Sequence, residues 1–213
     1  MVLGAATFWL YRTSTAPVHL TAEGQRLLAQ APAAARAAGC TGVRVVADYA
    51  GGLDRAHIGD AVREPPPLST YPSTPPASGP HDPSPWDAGV VQDPPPVYRT
   101  IHSLEHGAVI AWLAPNASDP AASAVRAYFQ PAADHDHAIV APYDYPQDGP
   151  AGALPPGRSM VLVAWHRIQL CRDVSLAVAV AFYRWYATPT RSLPLPWKPA
   201  GYRGEAPEAG FTI

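Results

Sequence analysis

Two imidazoles and a carboxylate stand within five residues at His102-Ser-Leu-Glu105-His106, followed at once by Gly107 and the apolar run Ala108-Val-Ile-Ala-Trp112-Leu113. Histidines four apart share one face of a helical turn, so both rings can approach a single metal ion, with Glu105 beside them as a ligand, a base or a hydrogen-bond acceptor that orients a ligand. The competing reading is a polar turn in which the imidazoles are satisfied by hydrogen bonds. Elsewhere, Ser78-Gly79-Pro80 forms a turn signal directly before His81, with Pro80 restricting the chain and Gly79 permitting a close approach. That makes His81 the natural third ligand beside His102 and His106. Asp134-His135-Asp136-His137 puts both of its imidazoles on one side if it is extended, and is otherwise an exposed polar loop. His135 and His137 are therefore secondary candidates. Met160 is a soft atom that could serve Cu(I), although a Met opening an apolar strand more simply packs in the core.

The elements that must position these groups follow from apolar periodicity and turn chemistry. Residues 21–38 predict a helix capped by Thr21, with Glu23 in its first turn, a kink or break at Pro32 and an end at Gly39. Residues 43–46 predict a short strand, and 108–113 a buried one stopped by Pro115, with the HSLEHG turn at its entrance. Residues 119–130 predict a helix capped by Ser118 or Asp119. Met160 to Leu170 reads as one strand, in which His166 is expected to pack or hydrogen-bond rather than ligate. Asp173 is expected to cap a core helix reaching Tyr186. Between Gly51 and Pro96 periodicity vanishes. Its aromatic and turn residues predict an ordered wrap rather than a disordered loop.

The fold class expected is α+β: a small mixed or antiparallel sheet packed with two or three helices, with a long ordered Pro-rich loop. The division expected is a remnant of a membrane anchor and linker at 1–20, a single α+β domain at 21–187, and an irregular Pro/Gly-rich tail at 188–213. The apolar stretch at 1–11 is too short to span a bilayer, which takes about 20 residues. It reads either as the trailing half of an anchor or as a short arm packed on the domain.

Composition narrows the function classes. Net charge is −2, from 15 basic and 17 acidic residues, with no basic cluster, so nucleic acid is not an expected partner. The 27 prolines concentrate in long non-regular segments. Cys40 and Cys171 are in neither a CxxC nor a zinc-ribbon spacing, and a long-range disulfide is their better use in an oxidising compartment. No P-loop, GxSxG or GxGxxG occurs, which leaves nucleotide chemistry and serine hydrolysis without support.

The set Ala38-Gly-Cys40, Tyr71-x-Ser-x-Pro-Pro-x-Ser-Gly-Pro-His81, His102-x-Leu-Glu-His-Gly-Ala-Val and Ala164-Trp165 before Cys171 resembles the bacterial domain-of-unknown-function family 3105, over about residues 38 to 187. The resemblance implies an extracytoplasmic domain behind one N-terminal membrane helix, with paired cysteines at Cys40 and Cys171. Two departures stand out: Ser103 where the family pattern has Asn, and His166 where it has Gly. The functional expectation is a His-rich metal-binding domain that handles copper, or else zinc, with copper favoured by ligand softness and setting. The alternatives are a zinc metallohydrolase, because HxxEH is the inverted zinc-peptidase signature with Glu105 as base, and a non-catalytic envelope interaction or assembly domain.

Overall fold

The computed structural model describes residues 20–187 except 116, 118, 119 and 132–134. The candidate anchor and the C-terminal tail therefore lie outside the described residues, as do Asp134 and the expected cap residues Ser118 and Asp119. Among the described residues, no helix is long and apolar enough to cross a membrane.

The chain forms an α+β fold around a six-stranded mixed sheet, larger than the small sheet expected. Helix α1 (Ala22–Ala37) is followed by β1 (Arg44–Val45), β2 (Gly89–Val90), α2 (Val97–Glu105), β3 (Val109–Leu113), α3 (Pro120–Phe129), β4 (Ala138–Pro142), β5 (Met160–Ala164), β6 (Arg167–Cys171) and α4 (Leu176–Tyr186). The spatial order is β1-β6-β5-β3-β4-β2. Strands β3 and β4 are parallel, as their α3 crossover requires, and β2 adds parallel to β4. The β3–β5, β5–β6 and β1–β6 pairs are antiparallel.

Both faces of the central strands are covered, which is why VIAWL, AIVAP and MVLVA read as unbroken apolar runs. Val109, Ala111, Leu113, Met160 and Leu162 point into one core with Phe129 of α3 and Val178 and Phe182 of α4. Ile110, Trp112, Val161, Val163 and Trp165 point into the other, beneath α2 and the Pro-rich wrap. Met160 is thus wholly buried in the α3/α4 core, on the face away from α2.

Thr21 caps α1 as expected, its Oγ1 accepting from the Gly24 N–H at 3.2 Å. Gly39, at φ 59°, ends the helix, and the Cys40 N–H returns to the Ala35 carbonyl at 2.9 Å, closing a Schellman turn. Pro32 does not split the helix, which runs unbroken through it. It removes one N–H donor, the one that would have reached the Leu28 carbonyl. Cys40, delivered by that turn, forms a disulfide with Cys171 at the end of β6.

Three further expectations are corrected. Met160 to Leu170 is a hairpin, β5 and β6, turning at Trp165-His166 with His166 at φ 53°. Asp173 does not cap α4; its carboxylate accepts from Arg172, and Ser175 holds the N-cap position. Residues 135–137 are neither extended nor exposed: they turn tightly before β4, with His137 at φ 68° and both imidazoles buried.

Candidate metal centre

Helix α2 begins directly after Pro94-Pro95-Pro96 and lays Val97, Ile101 and Leu104 into the second core, where each buried side chain stabilises by about 1.5–3 kcal/mol. His102 and Glu105, the residues after Ile101 and Leu104, are thereby fixed along the edge of that buried face. His106 is the C-cap, and Gly107, at φ 99°, releases the chain into β3. Ser103 anchors the wrap to the helix: its Oγ donates to the Trp86 carbonyl at 2.6 Å and accepts from the Trp86 N–H at 2.9 Å. One hydroxyl thus provides both a donor and an acceptor to the wrap.

The wrap brings His81 to α2. Its ring lies 4.9 Å from that of His102, centroid to centroid, and is completely buried. Gly79 makes this approach possible: it has φ 115°, and a Cβ there would stand 2.7 Å from Cε1 of Tyr71. Replacing Gly79 by Ala should therefore destabilise the protein by about 2–4 kcal/mol, from strained φ plus overpacking. Urea denaturation of the variant measures it, and an unchanged midpoint would contradict the fit described.

A further ligand candidate, His57, was not legible in the sequence. The Ala56 carbonyl accepts from the His81 N–H at 3.0 Å, and the Ile58 N–H donates to the His81 carbonyl at 2.7 Å. These two bonds bracket His57 against His81. Its half-buried ring stacks on His102 at 5.2 Å with an interplanar angle of 7°. One ligand atom from each of His57, His81 and His102 falls within 4.8 Å of the others, a group that could hold a metal ion. His106 joins from the side, its Nε2 being 2.8 Å from that of His102. Two nitrogens on one ion at about 2.0–2.1 Å stand roughly 2.8–3.4 Å apart for angles from square to tetrahedral, so this spacing needs little adjustment.

The outward ring atoms are already committed. The Gly79 carbonyl accepts from Nδ1 of His81 at 2.8 Å, and the Asp82 carbonyl from Nδ1 of His102 at 2.7 Å. Those bonds make Nδ1 the donor in both rings. Nε2 of His102 is left as a lone pair facing His106, the arrangement that metal-ligating imidazoles adopt, whereas Nε2 of His81 is turned to Glu105 and would have to exchange that bond for an ion. Burial pushes the His102 pKa down, keeping its ring neutral and able to ligate.

Glu105 is buried, with one oxygen 3.0 Å from Nε2 of His81 and the other accepting from Nε of Arg55 at 2.9 Å. Burial alone would raise its pKa, but the bonds from His81 and Arg55 outweigh this and hold it below the usual carboxylate range. Its charge therefore stands beside the imidazoles at neutral pH, where it would offset that of a cation.

Of the groups expected to meet, His81, His102, His106 and Glu105 do so. His135 packs instead on Tyr128, Phe129 and Tyr183, and His137 pairs with Asp136, whose carbonyl accepts from the Tyr183 hydroxyl. Together with Met160, they belong to the α3/α4 side of the sheet.

The profile of the protein family of unknown function DUF3105 matches residues 68–196, more than half of the chain, and the chain belongs to this family. No curated protein and no solved structure matches it. His81, His102, Glu105, His106, His166 and Cys171 fall inside the match; Cys40, Asp54 and His57 precede it.

Proposed function

We propose that this domain binds one transition-metal ion through His81, His102 and His106, joined by His57, and that its role is copper handling. The observation that carries this reading is the gathering of one ligand nitrogen from each of His57, His81 and His102 within 4.8 Å, with the Asp82 carbonyl holding Nδ1 of His102 and leaving its Nε2 lone pair toward His106. Imidazole-only ligation suits copper and zinc, and copper is the better match to an extracytoplasmic domain anchored at the cell membrane. The Cys40–Cys171 disulfide supports such an oxidising location.

Against the metallohydrolase reading, both Glu105 oxygens are engaged, and α2 ends at Glu105 instead of continuing as the long helix of the inverted zinc peptidases. A water-activating base needs a carboxylate open to water. The test is titration of untagged, metal-stripped protein with Cu²⁺ and Zn²⁺, read by native mass spectrometry and thermal melting. One tightly bound copper per imidazole site is expected, stabilising by about 4 kcal/mol at a thousandfold excess over Kd. Protein whose melting neither metal shifts would leave only a structural turn.

A further inference from the structure

Trp165 packs edge-on against both His81 and His166, and around His166 lies a second group of ligating atoms. His166 approaches Asp54 Oδ2 at 2.9 Å and Asp48 Oδ1 at 3.7 Å, both through its Nε2. One ligand atom from each of the three falls within 4.8 Å of the others. They line an open cleft of about 470 Å³ together with Tyr49, Gly52, Arg55 and Trp165. We propose that this cleft is a second cation site, in which Asp48, Asp54 and His166 hold a divalent ion of the harder, carboxylate-preferring class.

The parts are preorganised unequally, and in an order that suits capture from solution. The Val46 carbonyl accepts from Nδ1 of His166 at 3.0 Å, so Nε2 is the ring atom turned to the carboxylates, and the proton it donates to Asp54 Oδ2 is what an incoming cation displaces. Asp54 is fixed by the Tyr49 N–H at 2.7 Å and the Ser78 hydroxyl at 2.8 Å, both on Oδ1, leaving Oδ2 toward the imidazole. Asp48, with a side chain 85% exposed, completes the ligand set from the solvent side. Arg55 is the opposing charge in the cleft, and its Nε is turned to Glu105. Two carboxylates and one imidazole, with room for water on the open side, suit Zn²⁺ or Mn²⁺ rather than Cu(I). The two sites are therefore chemically distinct: one is dominated by nitrogen, the other by oxygen.

His166 allows a test that spares the fold. Its φ of 53° is one that glycine adopts without strain, so His166→Gly removes the ligand while relaxing the backbone. Zn²⁺ is the probe, counted by native mass spectrometry of metal-stripped protein, with Mn²⁺ followed by electron paramagnetic resonance. Two zinc ions are expected on the parent, one on His166→Gly and one on His81→Ala, with bound Mn²⁺ lost in His166→Gly and kept in His81→Ala. His166→Gly that retains the parent's zinc count and Mn²⁺ signal would overturn the proposal. Asp54→Asn is the second variant, and unchanged Mn²⁺ binding there counts against it equally. A parent with one zinc that His166→Gly abolishes would uphold this site while removing the imidazole one, so the two readings fail separately.

Discussion

Replacing both Cys40 and Cys171 by Ser is expected to cost about 5 kcal/mol, because the bond spans a sequence separation of 131 and its loss returns that loop's freedom to the unfolded chain. This is comparable with the whole stability of an ordinary domain. The folded side points the same way. Cys171 is fully buried at the end of β6, and the bond ties it to the Schellman turn that ends α1. Around it, the Thr41 N–H donates to Leu170 and the Asp173 N–H to Ala38. Helix α1 itself buries only Gly24 and Ala31 fully, and it rests on α4 rather than on the sheet. Urea denaturation with a slope of about 2 kcal/mol/M should show the midpoint falling by roughly 2–3 M. Amide exchange should show α1 loosening before the strands. A midpoint shift under about 0.5 M would mean that native packing alone fixes this corner.

What was legible in the sequence divides along physical lines. Strands β3 and β5 and helix α4 could be read because burial on both faces leaves apolar runs that few other structures tolerate. Likewise Ser78-Gly79-Pro80 announced a rigid turn, and the structure confirms that the wrap sets His81 beside His102. The β5–β6 turn was hidden because its left-handed position holds His166, where Gly or Asn would have signalled it. His166 tolerates that backbone while bonded to both the Val46 carbonyl and Asp54. His57 was missed for another reason. It sits in a segment with no period, and its place depends on two backbone hydrogen bonds to a residue 24 positions later. The nearest sequence signal was the polar cluster Asp54-Arg55-Ala-His57, whose members contact His166, Glu105, His81 and His102.

The roles of the imidazoles and of Glu105 separate by substitution. His102→Ala should abolish copper binding, since it removes a ligand whose ring stacks against both His57 and His106. His81→Ala should do the same and also leave Glu105 with one partner fewer. Glu105→Gln is expected to retain the ion with affinity lowered about 10–100-fold, as for a group that orients ligands without being one. The amide preserves the side chain's shape, but one of its two polar ends must become a donor. It then opposes either Arg55 or His81, both of which now have a carboxylate oxygen at hydrogen-bonding distance. Isothermal titration with Cu²⁺ gives all three affinities, and circular dichroism establishes that each variant is folded. Loss of binding in Glu105→Gln as complete as in His102→Ala would make Glu105 a ligand. Stoichiometric zinc with peptide cleavage that disappears in Glu105→Gln would instead make it a water-activating base and overturn the copper reading.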